Sequence, residues 1–140
     1  MATLVKIFMF ILFSQFLNAY DASGQDITIQ IKNIDNNKEY VFVVLYNAKD
    51  AFLNESYKGV KSNIKQNSCE VIFKNIPKGV YAISLFHDEN ENNKMDKNFL
   101  NIPMEDYGCS NNAKGFMGPP KWEDAKFEIK NKSITQIITL

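Results

Sequence analysis

The chain has 140 residues with 16 Lys or Arg against 16 Asp or Glu, and every one of the basic residues is Lys. A balanced charge without a single guanidinium offers no electrostatic footprint for nucleic acid or an anionic membrane, and none of the planar forks that suit phosphate and base-edge recognition. Mean hydropathy near −0.3 with 45 % apolar residues is that of an ordinary globular domain.

The first element is an apolar run from Ile7 to Leu17 behind Lys6. It is too short to span a bilayer and matches the core of a secretory signal peptide, so residues 1–19 are expected to be removed. Cleavage after Ala19 is the first expectation and after Gly24 the second, each leaving a small residue at the cut. Removing Lys6 leaves 15 Lys against 16 acids, a net charge of −1. The exported chain is expected in the periplasm or the medium. Residues 20–140 are of single-domain size.

Alternation of period two then recurs along the chain. Ile27, Ile29 and Ile31 face one way and Thr28, Gln30 and Lys32 the other, a strand with one wet side. "EYVFVVLYNA" and "GVYAISLFHD" are apolar on both faces, so their outer side needs a cover. "SCEVIFKN", a weaker stretch over Val60 to Lys65, Asp124 to Lys130 and "SITQIITL" bring the count to about seven strands, with no stretch of 3.6 period competing for the core. The expectation is an all-β, single antiparallel β-sandwich, with turns at "DNNKE" and "NIPKG". Between the fifth and sixth strands runs a segment, 88–122, too long for an ordinary connection. Because it carries Phe99, Leu100, Ile102, Met104, Tyr107, Phe116, Met117 and Trp122, it is expected to be an ordered flap lying on the doubly apolar strands.

The flap opens on the candidate site. Asp88, Asn90, Asn92, Lys94 and Asp96 place oxygens at positions 1, 3, 5, 7 and 9 of a short loop, Lys94 through its backbone carbonyl alone. Hard cations such as Ca²⁺ want six to eight oxygens, and this alternation suits a calcium loop. Asn93 stands where glycine usually turns such a loop, and Phe99 where a bidentate Glu usually closes it; the missing ligands would have to come from Glu105, Asp106 or water. With two carboxylates assured, the affinity expected is about 10⁻⁴ to 10⁻³ M. The same spacing also suits side-chain-to-backbone turns that bind nothing.

The remaining chemistry is sparse. Cys69 and Cys109 invite a disulfide in an exported chain, one that would contribute roughly 4 kcal/mol on the chain-entropy model, while Cys69 also suits a buried free thiol beside Val71 and Phe73. His87, the single histidine, shares a face with Tyr81, Ile83 and Leu85 and is expected to be structural. Asn54 and Asn131 begin glycan-acceptor triplets of a kind expected by chance in an Asn-rich chain.

The strand ending in His87-Asp88, the Asn-rich loop through Asp96, "IPMEDYG", "SNNA" and "GPPKWEDAKF" together resemble a family of secreted bacterial proteins, domain of unknown function 2141. The likeness is strong over residues 79–129 and looser from Ile27 onward, through "VVLYNAKDAFL". It implies export and a small β-sandwich related to prealbumin-like or carboxypeptidase-regulatory modules, whose strand entry is similar to "IPKGVY", and it implies no known activity. Asn93 falls where the family often has Gly, and Cys109 where an aromatic residue is more usual, which makes any disulfide particular to this chain. Loops of the Asp-x-Asn-x-Asn kind bind calcium in prealbumin-like repeats of bacterial surface proteins, an analogy of fold. The histidine- and arginine-based active site of transthyretin-like hydrolases cannot be built from one His and no Arg.

Two functions follow as expectations. The first is a non-enzymatic module, binding a protein or glycan of the envelope through a flap fixed by Ca²⁺, with no other cofactor. The alternative is a small secreted hydrolase or transferase using His87 as acid/base with Asp88 or Glu105.

Overall fold

The computed structural model describes residues 23–140. The expected signal peptide lies outside the described residues, apart from the second cleavage position beside Gly24. Among the described residues no helix is long and apolar enough to cross a membrane.

Among the described residues, eight strands form two sheets. The smaller sheet has the order β4 (Cys69–Ile76), β1 (Gln25–Lys32), β8 (Ile134–Thr139). The larger has β3 (Lys58–Asn63), β2 (Tyr40–Tyr46), β5 (Gly79–Asp88) and β6 (Tyr107–Cys109), with β7 (Phe127–Ile129) also on β5. All seven expected strands are present in some form, and three particulars differ. β1 and β8 run parallel, Ile27 beside Ile134 through Lys32 beside Thr139, so the sheets are antiparallel-rich and not wholly antiparallel. Period-two patterning is the same for either direction, and only the chain's path decides it. β6 lies inside the stretch expected to be a single loop. Ala125 belongs to a one-turn helix, α1 (Trp122–Ala125), which leaves only three residues for β7.

Alternation puts one face of β1, β2, β4, β5 and β8 into a shared core. Ile27, Ile29 and Ile31 of β1, Val71 and Phe73 of β4 and Ile138 of β8 meet Val41, Val43 and Leu45 of β2 and Tyr81, Ile83 and Leu85 of β5. Each of these fully buried aliphatic side chains contributes roughly 1.5–3 kcal/mol.

The outer face of β2 and β5 carries a second, smaller cluster, as expected for strands apolar on both sides. Its cover differs from the expected one. Val44, Tyr46 and Ala82 lie under Phe52, Cys109, Ala113, Trp122 and Ala125, with Phe52 edge-on to both Tyr46 at 5.3 Å and Trp122 at 5.7 Å. Phe99, Leu100, Ile102, Met104, Phe116 and Met117 take no part and stand exposed. Tyr107 is exposed as well, so of the bulky residues expected in the flap Trp122 alone joins the cover, beside the small side chains of Cys109, Ala113 and Ala125.

A three-residue stitch, Ser110-Asn111-Asn112, holds this cover in place. On the edge of β5 opposite β2, β7 pairs with residues 79–81 and β6 with residues 84–86, so Ile83 falls between two short partners. The buried Ser110 hydroxyl fills that gap: it accepts the Ile83 N–H at 2.9 Å and donates to the Ala125 carbonyl at 2.5 Å. Asn111 donates to the carbonyls of Asp124 (3.1 Å) and Lys126 (2.9 Å). Asn112 donates to the Ile137 carbonyl at 3.1 Å and accepts the Thr139 N–H at 2.9 Å, presenting its amide to the edge of β8 as a neighbouring peptide group would. Both asparagines sit at positive φ, 59° and 50°, a conformation Asn tolerates better than most residues.

Candidate functional site

The last residue of β5, Asp88, pairs with Tyr40 across the sheet and opens the 89–106 loop. Its carboxylate is fully buried and organises the turn, accepting the Asn92 N–H at 3.1 Å on one oxygen and the Asn93 N–H at 2.8 Å on the other. Asn93 has φ 62°, the left-handed conformation that glycine would otherwise supply. The Tyr40 hydroxyl donates to its side-chain oxygen at 3.1 Å, and Lys61 donates to that same hydroxyl at 2.9 Å, tying the loop to β2 and β3.

The other expected residues gather around Asp96. Asn90 and Asn92 direct amide N–H groups at its two oxygens, at 2.5 and 2.9 Å. The Asn92 side-chain oxygen accepts the Lys94 N–H at 2.8 Å, the one contact that brings Lys94 into the set. Glu105 locks the loop from its far end, accepting the backbone N–H of Glu89 at 3.2 Å and of Asp96 at 3.1 Å, while Met104 N–H donates to the Asp96 carbonyl at 2.8 Å. Sequence reasoning gave Glu105 only a reserve part. Its position is set by the chain's return toward β6, which spacing near Asp88 does not encode.

Burial raises the Glu105 carboxyl above the ordinary range; the two N–H bonds pull it back, and the nearby charges of Asp96 and Asp88 add to the rise. Nearby, Glu39 is raised by its hydrogen bond to Glu91 and by that group's charge. Among the described residues, none of Asp88, Asp96 and Glu105 is in an ion pair with Lys. Nor are three or more His, Cys, Asp or Glu side chains placed to hold one metal ion among those residues. Any ion here would draw on amide and backbone oxygens beside the carboxylates.

His87 lies on the opposite face, with no exposed surface. Its Nε2 is 2.8 Å from the Lys38 carbonyl, which can only accept, so Nε2 carries a proton. Nδ1 has no hydrogen-bond partner among the described residues and stands 3.7 Å from a Glu89 oxygen. A ring sealed in this way has no path to a substrate in this conformation.

Cys69 and Cys109 are free thiols in different clusters, Cys69 beside the inter-sheet core and Cys109 under the outer cover. The disulfide expected as one alternative is not formed here. β4 and β6 belong to different sheets, and the two side chains serve different apolar layers. Burial pushes the Cys109 thiol up to about 12 and raises Cys69 as well.

The model of a bacterial family described as "Uncharacterized protein conserved in bacteria (DUF2141)" matches residues 29–137, from the middle of β1 to β8 and across the whole Asp88 loop. The chain belongs to this family. No curated protein and no solved structure matches it. The family carries no assigned activity, so function is argued from the site.

Proposed function

We propose that the chain is an exported, non-enzymatic β-sandwich module of the cell envelope, whose 89–106 loop is a binding element stabilised by Ca²⁺. The observation that carries this is the construction of the loop. A buried carboxylate, Asp88, turns it through the Asn92 and Asn93 N–H groups, and Glu105 closes it. Three carboxylates not ion-paired with Lys thereby stand around one short turn, a charge density that a hard divalent cation would relieve. For an ion to sit beside Asp96, the amides of Asn90 and Asn92 must present their oxygens to it in place of their N–H groups. The Lys94 carbonyl and water would supply the rest of the shell.

Export is supported by the apolar run at 7–17, and cleavage after Ala19 suits the fold. Gly24 donates its N–H to the Asn75 side chain at 2.7 Å and has no room for a Cβ, which would lie 2.3 Å from the Asn75 carbonyl carbon. A cut after Gly24 would remove that contact. The hydrolase alternative needs His87 to meet solvent, which its burial opposes.

Thermal unfolding in excess Ca²⁺ and in chelator tests the calcium reading. At tenfold excess over Kd, a single site stabilises by about 1.4 kcal/mol, roughly 3–6 °C for a domain of this size. Identical midpoints would remove the ion from the account.

A further inference from the structure

We propose that the apolar hairpin at residues 97–103 docks into the cavity beside Lys114 of a second copy of this chain. The proposal deepens the reading of the 89–106 loop as a binding element, on which it rests, and does not depend on calcium. Lys97 bridges to Pro103, and Asn98 fixes the tip between them. Its side chain accepts the N–H groups of Leu100 at 2.9 Å and Ile102 at 3.0 Å, and its own N–H donates to the Ile102 carbonyl at 2.9 Å. On this ordered frame Phe99 is 94 % exposed, Leu100 64 %, Ile102 52 % and, just beyond it, Met104 72 %. Together they present on the order of 500 Å² of apolar surface, a patch of the size that marks an interaction site.

The cavity, about 270 Å³, opens between β6 and the end of β8, lined in part by Tyr107, Gly108, Ala113, Lys114, Gly115 and Thr139. An apolar cavity of about 150 Å³ takes a benzene ring, so this one has room for the Phe99 side chain. Small residues on three of these positions leave the space, and the Tyr107 ring offers an aromatic partner. Phe116 and Met117 follow Gly115 directly and are exposed, extending the apolar rim. The walls are held in shape. Gly108 packs so closely on β8 that a Cβ there would lie 2.7 Å from the Ile138 Cγ2, and one on Gly115 would lie 1.7 Å from the Gly118 carbonyl oxygen. Hairpin and cavity are both ordered before they meet, so little ordering cost remains.

Charge selects the occupant. Residues 88–106 carry six acids, Asp88, Glu89, Glu91, Asp96, Glu105 and Asp106, against Lys94 and Lys97, a net charge of −4. The chain from residue 20 carries −1 in all, so the rest of it carries +3. Lys114 is exposed and in no ion pair among the described residues, and none of the described residues lining the cavity is Asp or Glu. An anionic surface would repel the hairpin, and a tip-to-tip pair would set two acidic loops against each other. Head-to-tail seating instead brings the acidic loop of one copy to the cationic cavity of the next. One such contact buries about 1,000 Å² in total, the low end for a specific interface, so a weak association is expected.

The test is sedimentation equilibrium in chelator from micromolar to near-millimolar protein, using a chain that starts at residue 20 so that the apolar run at 7–17 cannot itself drive association. The mean mass of the wild type should rise with concentration. Phe99→Ser removes the inserted ring and Lys114→Glu puts a carboxylate in the cavity; each is expected to weaken association about tenfold, with melting unchanged because both side chains are exposed. A mixture of the two variants retains one intact hairpin and one intact cavity, and should associate more tightly than either variant alone. A wild type that stays monomeric, a variant that associates as the wild type does, or a mixture no tighter than its components would each overturn the proposal. None of these outcomes alters the calcium melting comparison, so the two ideas fail separately.

Discussion

Replacing Ser110 by Ala removes one oxygen and leaves two backbone groups without partners, the Ile83 N–H and the Ala125 carbonyl. Ser110, Ile83 and Ala125 have no exposed surface, so bulk water cannot take over either bond. Each orphaned group costs roughly 1–3 kcal/mol, which puts the loss near 3 kcal/mol, against a typical total stability of about 5–15 kcal/mol. With an m-value of about 1.5 kcal/mol/M, the urea midpoint should fall by about 2 M with the slope unchanged. Asn112→Ala is the matched comparison, because it also removes two bonds to strand backbone but at an exposed position. There water can substitute for both bonds, and the left-handed φ of 50° carries most of the loss, so about 1–2 kcal/mol is expected. Equilibrium urea unfolding followed by circular dichroism measures both. If Ser110→Ala costs less than about 1 kcal/mol, or no more than Asn112→Ala, the stitch does not hold the edge of β5.

Cys109 gives a pH prediction. Its thiol stands at about 12 in the fold against an ordinary 9, so above pH 9 the unfolded chain loses its proton first. Its contribution is therefore intact below pH 9 and is lost as pH rises toward 12, by about 1.4 kcal/mol at pH 10; Cys109→Ala should flatten that part of an alkaline unfolding series. Mass-resolved alkylation near pH 8 should label Cys69 slowly and Cys109 only after urea is added, and rapid native labelling of Cys109 would contradict its burial. Asn93→Ala places a residue without Asn's local hydrogen bonding at φ 62° and removes the Tyr40 contact, and should cost about 1–2 kcal/mol in urea unfolding. Asp88→Ala strips the acceptor from two loop N–H groups and should raise amide exchange at Asn92 and Asn93 while leaving the strands protected.

The strands were legible because alternation is a local property. Ile27, Ile29 and Ile31 announce a buried face whatever lies opposite, and the two-faced patterns at residues 40–46 and 79–88 announce a second layer. The turn at Asp88 was legible for the same reason, since Asp88, Asn92 and Asn93 are sequence neighbours. Glu105, Tyr40 and Lys61 reach that loop from far along the chain, and no spacing rule finds them. The apolar flap residues misled for an instructive reason. Composition says that Phe99, Phe116 and Met117 would gain by burial, but the cover over β2 and β5 is already filled by Phe52, Trp122 and three small residues.

By itself, then, the sequence determined the β class, most strand positions and the Asp88 turn, all of which follow from contacts between residues a few positions apart. Tertiary structure decided the parallel pairing of β1 with β8, the separation of Cys69 from Cys109, the bridging hydroxyl of Ser110 and which apolar side chains stay outside. Each of these depends on which distant segments become neighbours. Two strands, two thiols or two apolar faces with the same local pattern are equivalent until the chain's path brings one of them, and not the other, within a few ångströms of its partner.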